Sequence, residues 1–383
     1  MIVDSAWIKR NLGFDPTEVQ APHSTYAVSA AAQTSTPEGL QREIIDFDSE
    51  GAEGTKFFSF TNATSLLRFQ DIPWPKGMAP VTARTAGTRS GGRLPKADAL
   101  VVAWTVDEGH ATSLVLTPGK DSQRDYTPYR CNFAKLAKEM RKGCPALEAG
   151  RLGTYWRCTI AGKSAVVFKS DSHLSQDGPL APNVKLWQQI IEDVEPKLVL
   201  TTGTGGGIGK QFEVGDVIVS PVVHFDCLRK FKKKFGKEPP FHSAAPNPKY
   251  LKVAKSLFKA NAEQLPKDNT RAPAIVQVRA NGVPSSVVTT DFFGFDTSSN
   301  YYKLQGLGDL SEMGDAVLGL VCAQMGDAAP RWLAVRNVSD PQIKSTGLTI
   351  KQQANMAAQI YKGFGRWSTV CSAIVCWALI AAE

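Results

Sequence analysis

The sequence is poor in the features that mark secreted, membrane-bound or metal-held proteins. Its 383 residues include only seven cysteines, at positions 131, 144, 158, 227, 322, 371 and 376. The number is odd, the spacing is scattered and no pair forms Cys-x-x-Cys. That pattern argues against a disulfide framework and fits reduced thiols, so a cytoplasmic location is expected. There is no apolar signal core at the N-terminus. The most apolar stretch, Val370–Ala382, falls short of the ~20 residues a membrane-spanning helix needs and reads as a buried C-terminal helix. No zinc-finger spacing, nucleic-acid fold signature, long basic tail or internal repeat occurs. Membrane and nucleic-acid partners are therefore not expected, and no motif calls for a metal or a cofactor.

Positive charge is what the chain has in excess, with a formal net charge of +8. Part of it is local. Arg229-Lys230-Phe231-Lys232-Lys233-Lys234-Phe235-Gly236-Lys237 holds six cations in nine residues. Such a run reads first as a solvated loop or helix face and second as an anion-binding surface. Hydrophobic residues make up 43% of the chain, enough for one large domain with an extension or for two domains. Residues 1–95 are rich in Ser, Thr, Pro and Gly and lack periodicity, so they read as an irregular N-terminal arm, with Phe57-Phe58-Ser59-Phe60 as a short strand or anchor. Residues 96–383 form the main domain, interrupted by a basic, Pro-rich insertion at 227–272.

The main domain is organised around Leu198–Pro221. Leu198–Thr202 is an unbroken apolar and β-branched run, suited to a strand covered on both faces. It leads into Gly203-Thr204-Gly205-Gly206-Gly207-Ile208-Gly209, and a second strand follows at Asp216–Pro221. Without Cβ atoms, the glycine backbone can approach a ligand closely. It is neither a P-loop, because Gln211 follows Lys210, nor a dinucleotide loop, because Ile208 or Lys210 fills the last glycine slot and a strand follows. The plain alternative is a tight turn between strands.

Further strands are read at Asp98–Thr105, Arg151–Ile160, Ser164–Lys169, Ala274–Arg279, Ser286–Thr290 and Arg331–Val338. Val106-Asp107-Glu108 follows the first strand and leads into a helix-like stretch to Leu116, stopped by Pro118-Gly119, and further helices are read over Val184–Val194, Tyr250–Ala262 and Met313–Met325. Two more close the chain, at about Thr349–Lys362 and Trp367–Ala382. A polar loop spans Ser170–Pro182. Strands alternating with helices give the α/β class. Three strands end in groups with chemical potential: Asp107-Glu108, Thr204 with its glycines, and Asp340. Parallel strands would bring these ends to one edge of the sheet. Each carboxylate alone is also a plausible helix cap. Facing each other across a backbone cradle, two carboxyls suit cleavage of a glycosidic bond, one as acid and one as base.

The motifs, in order, resemble the nucleoside phosphorylase/nucleosidase superfamily, closest in motif to the methylthioadenosine/S-adenosylhomocysteine nucleosidases. Gly203-Thr204-Gly205-Gly206-Gly207 is similar to the family's Gly-Thr/Ser-Ala-Gly-Gly turn, and Gly215-Asp216-Val217-Ile218-Val219 to its Gly-Asp-Val-Val-Val. Asp291-Phe292-Phe293 resembles the Gly-Asp-x-Phe segment, and Glu312-Met313 the start of Glu-Met-Glu. Val335-Arg336-Asn337-Val338-Ser339-Asp340 resembles Val-Arg-x-Ile-Ser-Asp. The resemblance covers roughly residues 97–380. It implies a three-layer α/β/α fold with a central twisted mixed sheet and action on a purine nucleoside or nucleotide. It further implies that Asp340 is the catalytic acid, that Phe293 packs on the purine and that Glu108 polarises water. Thr204, Gly205 and Gly206 would line the nucleophile side, with Met313 under the ribose. The family's ribose-holding second Glu is replaced by Gly314, which leaves Asp315 to bond the hydroxyls. Arg336 is expected at the site, with a structural ion pair as its favoured role. Lys169, His173 and Gln176 are candidates for receiving phosphates, and a homo-oligomer, dimer or higher, is expected. Phosphorolysis and non-catalytic nucleoside binding stand as alternatives.

Overall fold

The computed structural model describes residues 1–13, 15–16, 72–83, 92–120, 125–174, 181–227, 231, 235 and 238–383. Phe57–Phe60 and Gln176 lie outside the described residues, as does most of the lysine-rich run. One mixed sheet of thirteen strands organises the described chain. Its main members are β1 (Ala99–Ala103), β2 (Gly153–Ile160), β3 (Lys163–Ser170), β4 (Leu198–Gly207), β5 (Val217–Ser220), β6 (Val222–Phe225), β7 (Ser286–Thr289), β8 (Leu310–Glu312) and β9 (Arg331–Asp340). The longer helices are α1 (Val106–Leu116), α2 (Ala181–Val194), α3 (Asp315–Met325) and α4 (Ile350–Ala381). The strand order runs β2–β3–β1–β4–β8–β7–β6, and β9 pairs with β4 and β5. Strands β3, β1, β4 and β9 are mutually parallel, so their carboxyl ends meet at one edge.

Apolar residues on successive strand positions face opposite sides, and both sides are covered. Val101, Val167, Leu198, Leu200, Leu333 and Val335 pack with α4 and α1. Leu100, Val102, Val166, Phe168, Val199, Trp332 and Ala334 pack with α2 and α3 on the other face. These two cores make the three layers expected of the sequence.

Three local expectations are corrected. First, the glycines after Thr202 belong to the strand, because β9 and β8 pair with it as far as Gly206 and Gly207. Close packing explains their type. A Cβ at Gly205 would lie 2.2 Å from Leu310 Cδ2 and 2.8 Å from the Ser311 carbonyl oxygen. Gly205→Ala is therefore expected to cost about 1–3 kcal/mol through overpacking, read as a lower midpoint in urea unfolding. Second, the C-terminal part is one helix of 32 residues, not two. The Gly363-Phe364-Gly365 segment does not break it. A Cβ at Gly365 would lie 3.4 Å from Thr204 Cγ2, so the small residue lets α4 approach β4. This helix is long and apolar enough to cross a membrane, but 89% of its most apolar window is buried inside the protein, which makes it a core helix. Third, the first residues of the chain are not irregular. Ser5–Leu12 is a helix whose N-cap Asp4 accepts from Trp7 N, and Trp7 and Ile8 join the α4 core.

The insertion is partly regular as well. Leu251–Leu257 is α-helical and continues as a 3-10 helix over Phe258–Gln264. Asn261 ties it to α4 by donating to the Trp367 carbonyl at 2.8 Å.

Candidate active site

The carboxyl ends of β1, β3, β4 and β9 open into one common cavity. Glu108, Thr204, Gly205, Gly206, Phe293, Met313, Arg336 and Asp340 line it, as do Lys169 and His173. The structure thus brings ten of the sequence candidates to one hollow. Asp315 does not line it.

Each acidic group is placed by a strand end. On β9, a register shift after Val338 sets Asp340 opposite Gly206 of β4. A Cβ at Gly206 would lie 2.9 Å from Asp340 Oδ2, so the glycine leaves room for the carboxyl. Ser339 donates to Asp340 Oδ1 at 2.7 Å. Burial pushes the Asp340 pKa up to about 7, and the Ser339 hydrogen bond only partly opposes it. A carboxyl so tuned holds a proton near neutrality.

Glu108 sits in the first turn of α1, where Thr105 is the N-cap and the two form a capping box. The bland role of a helix cap is therefore real. The same carboxylate nevertheless reaches β4. Oε2 accepts from Trp104 N at 3.1 Å and Thr105 N at 3.0 Å. Oε1 accepts from Thr204 N at 2.7 Å and Thr204 Oγ1 at 2.8 Å. The approach depends on Gly203, where a Cβ would fall 2.3 Å from the Glu108 carboxyl carbon. Asp340 and Glu108 are thus both anchored to one short segment, Thr204–Gly206.

Arg336 is the hub of the wall between them. It bonds Asp315 through Nε at 2.8 Å and Nη2 at 2.5 Å, and Glu312 through Nη2 at 3.2 Å. Its Nη1 lies 3.8 Å from Glu108 Oε1. Burial opposes its charge, but the three carboxylates outweigh burial and push its pKa up. Asp315, expected on sugar hydroxyls, is instead fully committed to Arg336 at the start of α3. The structure also accounts for Gly314. A Cβ there would meet the Trp104 ring at 3.2 Å, and Trp104 in turn packs 4.6 Å from the Arg336 guanidinium. An aromatic ring fills the side from which a second Glu would project.

Several cavity residues were given no site role from the sequence. Trp104 stands at the end of β1, Glu312 at the end of β8, and Asp171 just past β3; Tyr361 reaches in from α4. Strand-end position is a signal available for the first three. Tyr361 had none, because its approach depends on how α4 packs. Glu312 is buried, and burial together with neighbouring Asp315 pushes its pKa up against the pull of Arg336. Among the described residues no group of three His, Cys, Asp or Glu could hold a metal ion.

Residues 131–364 match the family model for the phosphorylase superfamily. A 5′-methylthioadenosine/S-adenosylhomocysteine nucleosidase of Chromohalobacter salexigens is 35% identical over 78 residues, which is 20% of this chain. The match spans about a third of that relative, 33% of its length. Among solved structures, the corresponding nucleosidase of Neisseria meningitidis in complex with methylthio-immucillin-A is 18% identical. That alignment covers 75% of this chain and all of the other, with a TM-score of 0.43. The futalosine hydrolase of Helicobacter pylori is 15% identical over 73% of this chain and 97% of its own, also with a TM-score of 0.43.

Proposed function

The chain belongs to the phosphorylase superfamily, and on that footing we propose that it hydrolyses the N-glycosidic bond of a purine nucleoside or nucleotide. The observation that carries this reading is the joint anchoring of Asp340 and Glu108 on Thr204–Gly206, at one cavity. Asp340 donates its proton to N7 of the base, so that the leaving group departs neutral. Its raised pKa supports that role. Phe293 stacks on the base, and Met313 and Glu312 border the sugar.

Glu108 orients the attacking water and takes its proton as the sugar develops positive charge. Three of the four donors on Glu108 are backbone N–H groups and are fixed. The fourth, the Thr204 hydroxyl, turns about χ1, and a water can take its place on Oε1. Arg336 holds Glu108 and Glu312 in position while remaining paired with Asp315.

The nucleophile is water because a phosphate at Thr204 would face the Glu108 carboxylate, and like charges repel. Base release is expected to be equally fast with and without inorganic phosphate, with free sugar as the second product. Chromatography of the products checks this. Formation of sugar 1-phosphate would replace hydrolysis by phosphorolysis. Tight nucleoside binding without base release would leave a binding protein.

A further inference from the structure

The cavity has a second, charged end. The strand order β3–β1–β4–β9 puts Lys169 and Asp340 on strands three inter-strand steps apart, roughly 14 Å. A ligand whose base lies at Asp340 therefore extends toward Lys169. Lys169 is only 3% exposed, yet it lines the cavity. Its stem crosses α1 at Gly109, where a Cβ would lie 2.7 Å from Lys169 Cγ. Its ammonium meets Asp171 Oδ1, and the other oxygen of the same carboxylate takes Arg151 Nε at 2.7 Å. One carboxylate thus serves two buried cations.

Sharing matters because a buried cation needs compensation. Two cations on one carboxylate leave the cluster with an excess of positive charge, which a ligand anion compensates and a ligand ammonium would increase. His173 borders the same wall, edge-on to Trp104 with ring centroids 6.4 Å apart. Burial lowers its pKa to about 4, so the ring on that wall is neutral near pH 7.

We propose that this end of the cavity receives an anionic group, a phosphate or a carboxylate on the 5′ side of the sugar, and that Lys169 selects it. The proposal rests on the base lying at Asp340. It names the substrate class as acidic nucleoside derivatives rather than neutral ones.

The test compares base release from adenosine, 5′-methylthioadenosine, AMP and adenosine 5′-carboxylate, in the wild type and in Lys169→Met and Lys169→Arg. One charge-assisted contact is expected to raise kcat/KM for AMP over adenosine by about 10- to 100-fold in the wild type. Lys169→Met is expected to bring that ratio close to one, and Lys169→Arg to keep most of it. The ratio does not depend on how much protein is folded. The carboxylate arm tells which anion the site takes. A wild-type ratio of one or less, or a ratio that Lys169→Met leaves unchanged, overturns the proposal and makes the cluster purely structural. If no compound loses its base, the hydrolytic reading fails separately. The anion preference is then read by calorimetric binding of AMP against adenosine in the same three proteins, with the same two outcomes.

Discussion

Replacing Asp340 by Asn is expected to lower turnover by about 100-fold or more, because the amide fills the same space but cannot hand a proton to the leaving base. The pH dependence gives this result its signature. Burial lifts the Asp340 pKa to about 7 from the ordinary 3.8, so the protonated form is present near neutrality and lost above it. Wild-type kcat/KM is expected to fall as pH rises through about 7, and the residual rate of the Asn variant to lack that limb. Ser339 is the neighbour that pulls the pKa down, so Ser339→Ala is expected to move the limb to higher pH. Stability carries the same information. A raised native pKa means that the folded chain keeps a proton the unfolded chain gives up near 3.8. That contribution is complete below the unfolded value and is lost as pH rises through about 7, by up to about 1.4 kcal/mol per pH unit. Asp340→Asn removes this part of the slope and leaves the part due to Glu312, whose pKa burial also raises. Denaturant unfolding between pH 5 and 8 measures both. Normal turnover in a folded Asn variant would take the acid role away from Asp340.

The sheet was legible because its strands are nearly uninterrupted apolar runs. Ala99–Ala103, Leu198–Thr202 and Arg331–Val338 are buried on both faces, and such runs announce themselves. The extension of β4 through five further residues was not legible, since glycine in a strand reads locally as a turn. Only the contact of Gly205 with Leu310 and Ser311, about a hundred positions away, makes glycine the fitting choice. The unbroken α4 was hidden for the same reason. Gly365 looks like a break until Thr204 is seen beside it. At the site, residues carried by motifs line one cavity. Partnerships were not legible: Asp315 could be named from its place beside Gly314, but its commitment to Arg336 depends on how α3 meets β9. Lys169 was visible as a cation, whereas the shared carboxylate that gives it meaning depends on Arg151, Asp171 and Gly109 converging from three elements.

Replacing Glu108 by Gln is expected to be as damaging to turnover, by about 100-fold or more, but it also weakens the fold, and the two effects have to be separated. The carboxylate accepts four hydrogen bonds, two on each oxygen. An amide has one accepting atom, so in either orientation its NH2 faces at least one backbone N–H. That leaves buried donors unmet and costs about 1–3 kcal/mol. Helix capping alone would explain a stability loss, so stability cannot decide the role. A second capping box of the same design supplies the comparison. Thr349 and Gln352 cap α4 away from the cavity, and Thr349→Ala is expected to cost about 1 kcal/mol with turnover per folded molecule unchanged. Melting temperature and kcat measured on the same preparations then sort the outcomes. If Glu108→Gln loses stability and its kcat collapses while Thr349→Ala loses only stability, the carboxylate acts on the water as well as on the helix. If folded Glu108→Gln turns over normally, capping is its whole role, and the base must be sought elsewhere in the cavity.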